Sequence, residues 1–144
     1  MYWKMVLREC EMLFVNLRNR QPNAAANVQK LPVLFKTMKD ILLTLVPKSD
    51  QQEVEDSLDS PLLMQQLEHG VLDFKKLASW LASVLKAHCA PMRDSWVEQM
   101  VQRISYGVDT GRTHAFVDGL KIVFGILEAM KLVRSLFRKA FSMV

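Results

Sequence analysis

LLMQQLEHGVLDFKKLASWLASVLKAHCAPMRD, residues 62–94, decides the fold. Leu62, Leu63 and Leu67 recur at helical spacing, and Gly70 stands where a helix end calls for a left-handed residue. Asp73 is placed to cap a second helix. Leu77, Trp80, Leu81, Val84, Leu85 and His88 then share one side of that helix, which Pro91 stops. Arg93 and Asp94 come after the proline, with Asp94 suited to cap the next helix and Arg93 to reach helix carbonyls or an acid. The stretch reads as helix, glycine break, helix, proline break.

The pattern extends in both directions. Trp3, Val6, Leu7, Cys10, Leu13, Phe14 and Leu17 form the stripe of an opening helix. The polar run NRQPNAAAN, residues 19–27, reads as a loop, and residues 19–30 as a flexible connector. Pro32 suits the first turn of a helix whose apolar side is Leu34, Phe35, Met38, Ile41, Leu42 and Leu45, ended by Pro47. Ser49 and Gln52 have the spacing of a capping box before a short acidic helix holding Val54 and Leu58. Ser60 and Pro61 then read as the cap and first turn of the next helix. Val97, Met100, Val101 and Ile104 continue the helical period, the two glycines of residues 105–112 read as a loop, and Thr113 caps a last helix carrying Phe116, Leu120, Val123, Phe124 and Leu127. No period-2 run indicates a strand. The expectation is an all-α protein, an irregular bundle of about six to seven helices forming one helical domain, or a fragment of a longer one, over residues 1–144.

Composition narrows the function. Half of the 144 residues are apolar and 24% are charged, so the chain has the means to form a core. The formal net charge of +4 hides an acidic run of Asp50, Glu53, Glu55, Asp56 and Asp59, read as a solvated helix face, and a basic C-terminus. Nucleic acid is not an expected partner, because no basic stripe interleaved with aromatics is present. Cys10 and Cys89 are far apart and outside any CxxC, which points to a reducing, cytoplasmic setting. Charges interrupt the first ten residues, so they do not read as a signal peptide.

Candidate chemistry is sparse. Glu68 with His69 and His88 with Cys89 are adjacent pairs, but neighbouring helix positions point about 100° apart and do not converge on one ion. GxSxG, HExxH, GxxxxGK[ST] and DxDxDG patterns are all missing, so no catalytic, cofactor or metal residue is assigned. A small hydrolase or metal enzyme would need His69, His88 and Cys89 in one pocket. The last turns, residues 133–144, read as a basic amphipathic tail, with Lys131, Arg134, Phe137, Arg138, Lys139 and Phe141 as candidate contacts to an anionic membrane surface or an acidic partner. Such a tail makes a peripheral membrane module the alternative function.

EHGVLD at residues 68–73 and CAPMRD at residues 89–94 resemble the T-complex protein 11 family, closest to its fungal branch. LFKTMKDILLTLVP, DSLDSPLLMQQ and VDGLKIVFGILEAMKL are similar to family segments in the same order, so the family-like region covers residues 31–132 and the tail departs from it. Glu68, His69, Gly70, Asp73, Cys89, Ala90, Pro91, Arg93 and Asp94 carry the motifs. The resemblance implies a helical protein, linked to cyclic-AMP and protein kinase A signalling in fungi and to sperm function in animals. It implies no catalytic residues. The functional expectation is a non-enzymatic adaptor or regulator with protein partners in a signalling pathway.

Overall fold

The computed structural model describes residues 2–88 and 93–142, and side chains as far as Lys131. Seven helices succeed one another among the described residues: α1 (Tyr2–Arg18), α2 (Lys30–Leu45), α3 (Lys48–Ser57), α4 (Ser60–Glu68), α5 (Phe74–His88), α6 (Asp94–Thr110) and α7 (Thr113–Ser142). No strand occurs among them, and the protein is an all-α bundle.

The apolar periods become the core. Val6, Cys10 and Leu13 are the buried positions of α1, and Leu31, Leu34, Phe35, Met38 and Leu42 those of α2. Phe74, Ala78, Leu81, Ala82 and Leu85 face inward from α5. On α7 the buried row includes Phe116, Leu120, Val123 and Leu127, against which α1, α2 and α6 all pack. Three rings join helices distant in sequence: Phe116 meets Phe74 edge-on with centroids 4.9 Å apart and Phe14 at 5.1 Å. Such edge-to-face pairs add about 0.5–1.5 kcal/mol each beyond the area they bury.

The segment read as a loop at residues 105–112 is helical as far as Thr110, and the turn between α6 and α7 is only Gly111 and Arg112. Gly111 supplies the left-handed backbone, at φ 69°, that ends α6. Gly107 has another purpose. A β-carbon on it would lie 2.5 Å from the Phe116 amide nitrogen and 2.9 Å from the Arg112 carbonyl oxygen, so the glycine lets the returning helix cross at backbone contact. Gly119 makes the reciprocal approach from α7, where a β-carbon would meet Ile104 Cγ1 at 2.5 Å.

Three capping expectations are also corrected. α3 starts at Lys48 after an extended Pro47, with no side-chain cap, and Gln52 instead donates to Asp56 Oδ1 within the helix at 3.0 Å. Asp59, one residue before Ser60, caps α4 by accepting from the Leu62 N–H at 3.2 Å. Asp94 lies inside the first turn of α6 rather than at its cap, which is Arg93 and makes no side-chain cap bond.

The two kinds of helical glycine give opposite expectations. Gly107→Ala should destabilise the chain by about 2–3 kcal/mol, because neither neighbouring backbone atom can yield cheaply. Gly125→Ala, where a β-carbon meets nothing within 4 Å, should stabilise it by about 0.5–1 kcal/mol. Urea unfolding of the two variants measures both signs.

Candidate functional site

The α4–α5 turn carries the EHGVLD motif, and its residues divide between those that hold the turn and those that face solvent. The Val71 N–H reaches back to the Gln66 carbonyl at 2.9 Å and the Gly70 N–H to the Leu67 carbonyl at 3.0 Å. This is the Schellman pairing, and it requires the φ of 69° that Gly70 adopts. Further along the turn, the Asp73 carboxylate accepts from the Lys76 N–H at 3.0 Å, so the cap expected there is present. Glu68 works over a longer distance: its Oε2 accepts from the Ala25 N–H at 2.7 Å and ties the 19–29 segment to the end of α4. The side chains of His69 and Val71 are exposed, Val71 to 68%, and make no hydrogen bond among the described residues.

A second carboxylate holds the other end of that segment. Glu9, on α1, accepts from the N–H groups of Gln29, Lys30 and Leu31, the latter two at 2.9–3.2 Å. Gln29 itself makes no side-chain cap bond, so α2 is capped from a different helix. The neighbouring Cys10 thiol is buried, and burial, reinforced by Glu9 and Glu11, pushes its pKa up to about 12. It is a core group rather than a nucleophile.

The turn separates two depressions. One, of about 490 Å³, lies between the ends of α1 and α6, with Phe14, Leu67 and Phe74 in its wall and Arg18 and Asp109 at its mouth. The Asp109 carboxylate is engaged by Lys75 at 2.8 Å, which holds the lysine above its usual range and links the start of α5 to the end of α6. The other, of about 510 Å³, is an open cleft among α3, α4, the turn and α5, where Leu62, Val71 and Trp80 are accessible and Asp56 and Asp73 line the edge. The Trp80 indole N–H donates to Glu53 Oε1 at 2.9 Å, which fixes that ring in the wall.

The groups with chemical potential do not gather. His69 precedes α5 and His88 ends it, a separation of about 20 Å along the helix axis. His88 Nε2 lies 3.5 Å from Asp50 Oδ2, joining α5 to α3. Among the described residues no three His, Cys, Asp or Glu side chains are placed to hold a metal ion. No helix among the described residues is long and apolar enough to cross a membrane. Cys89, Ala90 and Pro91 lie outside the described residues, as do the side chains of Arg134, Phe137, Arg138, Lys139 and Phe141; Lys131 is exposed on α7. The sequence assigns Glu9 no role in this region and places Leu62 and Trp80 on helical stripes; the Glu9 contacts arise between helices and leave no local signal.

Among the described residues the chain is an all-α bundle with an open, partly apolar cleft and no three metal-binding side chains brought together. The chain belongs to the T-complex protein 11 family: the family model, described as T-complex protein 11, matches residues 1–133. It is 36% identical over 132 residues to Protein SOK1 of Saccharomyces cerevisiae, covering 91% of this chain and 14% of that protein. The human T-complex protein 11 homolog is 37% identical over 70 residues, 46% of this chain and 14% of the relative. Mouse T-complex protein 11 is 32% identical over 102 residues, 69% and 16% respectively. The chain thus spans only 14–16% of the length of these relatives. No solved structure matches it.

Removing the two long-range carboxylates should loosen the connector without unfolding the bundle. Glu9→Ala should cost about 2 kcal/mol and Glu68→Ala about 1 kcal/mol in urea unfolding, with faster amide exchange at Lys30 and Ala25 respectively. In a Cys89→Ser background, Cys10 should react with a disulfide reagent at pH 8 only as fast as the chain opens. The native thiol keeps its proton up to about 12, whereas an unfolded one loses it near 9. The Cys10 contribution to stability is therefore whole below pH 9 and lost as pH rises toward 12, a fall that Cys10→Ala should abolish in pH-dependent melting.

Proposed function

We propose that the chain is a non-enzymatic helical adaptor or regulator in cyclic-AMP- and protein-kinase-A-linked signalling, working in the cytoplasm and binding another protein through the face around the α4–α5 turn. Family membership supports the pathway, since the T-complex protein 11 resemblance implies that link and the similarity to Protein SOK1 runs along nearly the whole chain. The observation that carries the binding reading is the division of labour within EHGVLD. Glu68, Gly70 and Asp73 each hold backbone, while Val71 puts an apolar side chain into water at the edge of a cleft. An apolar residue held outward on a rigid turn costs solvation that contact with a partner recovers.

Co-precipitation with the tagged intact chain should recover a regulatory or catalytic subunit of the cyclic-AMP-dependent kinase. Val71→Ser, at an exposed position, should reduce recovery about tenfold while the melting curve stays that of the parent chain. Recovery of neither subunit, together with unchanged kinase activity in cells lacking the protein, would rule the proposal out.

A further inference from the structure

We infer that the cleft among α3, α4 and α5 docks a basic amphipathic helix of a partner protein. The inference rests on the reading that this face binds protein and adds the chemistry of what it binds. Three features of the cleft select such an occupant.

The first is shape. The cleft is open, about 510 Å³, and is walled by side chains of α3, α4 and α5, so a further helix can lay its side-chain ridge into it. A peptide that adds as a β-strand would need a sheet edge to pair with, and no strand occurs among the described residues. The second feature is an accessible apolar floor. Leu62 is 44% exposed and Val71 68%, and Trp80 stands half-buried between them and α3, with its indole N–H held by Glu53. A pre-positioned aromatic loses little freedom when a partner covers it.

Charge is the third feature, and it decides the sign of the partner. From residue 49 to residue 74 the chain has seven Asp or Glu and no Lys or Arg. With a total of +4, this stretch holds −7 and the rest of the chain +11. Of these acids Asp56 and Asp73 line the cleft and Glu53 and Glu55 are exposed on α3 beside it, whereas Asp50, Asp59 and Glu68 lie at other depressions. Lys76 is the one cation among the lining residues. An apolar floor with an acidic edge complements a helix whose apolar stripe is flanked by Lys or Arg, and it repels nucleic acid and anionic lipid. Attraction of this kind accelerates encounter and weakens with salt.

A fluorescein-labelled 14-residue Leu–Lys amphipathic peptide, with a Leu–Glu peptide of the same pattern as control, tests the inference by anisotropy on the intact chain. The Leu–Lys peptide should bind saturably at one site and the Leu–Glu peptide should not. Val71→Ser and Asp56→Lys, both at exposed positions, should each weaken binding about tenfold, as should raising salt from about 50 to about 500 mM, while Tyr106→Ser outside the cleft should change nothing. Melting curves establish that each variant folds. No binding, equal binding of both peptides, or Leu–Lys binding indifferent to Val71→Ser and Asp56→Lys would overturn the inference. Absence of peptide binding with kinase co-precipitation intact would remove the basic-helix partner and keep the adaptor reading; the reverse pattern would remove the pathway and keep the docking chemistry.

Discussion

The close crossing of α6 and α7 is the constraint on which the rest of the structure depends. Two glycines make it possible, Gly107 against the backbone of Arg112 and Phe116, and Gly119 against Ile104 and the Met100 carbonyl. With the two helices in backbone contact, α7 becomes a wall whose remaining buried positions, including Phe116, Val123 and Leu127, are available to α1 and α2. Each such side chain contributes about 1.5–3 kcal/mol through burial, but only if the wall stands at the right distance. Phe116 transmits that placement outward: through Phe74 it sets the start of α5, and so the turn and cleft before it.

Long-range carboxylates complete what the apolar core leaves undone. A core of aliphatic and aromatic side chains positions helices but does not satisfy the backbone between them. Glu9 takes the free N–H groups at the start of α2, and Glu68 takes one within the preceding segment. Ser60 adds a hydroxyl bond to the Pro32 carbonyl at 3.0 Å, linking the starts of α4 and α2. These bonds cross between separate elements, so they report the tertiary fold and not the local sequence.

That difference explains which features were legible in the sequence. Helical stripes such as Val6, Cys10 and Leu13 were readable because amphipathic spacing is local, and Gly70 with Asp73 were readable because a Schellman end and the cap after it use nearby residues. Gly107 was misread because a glycine that breaks a helix and one that admits a neighbouring helix look alike until the neighbour, nine residues on at Phe116, is in place. At the candidate site the motif residues were visible, but not the separation between Glu68, which holds backbone, and Val71, which faces water. The acidic run was visible too, as a solvated face. Only the fold sets Asp56 in one cleft with Leu62 and Val71 and brings Glu53 to the Trp80 indole.

The concentration of acid on one face also has to be reconciled with folding. Seven like charges within 26 residues repel one another, and a surface selected for solubility alone would mix signs. Part of the cluster has structural employment: Asp59 and Asp73 cap helices, Glu68 ties the connector, and Glu53 and Asp50 join α3 to Trp80 and His88 on α5. Those tasks place carboxylates but do not call for the absence of any lysine or arginine between them. Glu55 makes no hydrogen bond or ion pair among the described residues, and Asp56 meets only Gln52, a neutral side chain on its own helix. Exposed pairs with cations would relieve the repulsion at small cost, contributing up to about 1 kcal/mol each. Leaving them out keeps acids in excess around the cleft, where Lys76 is the one lining cation, and an acidic edge beside an accessible apolar floor is what a cationic amphipathic partner would find complementary.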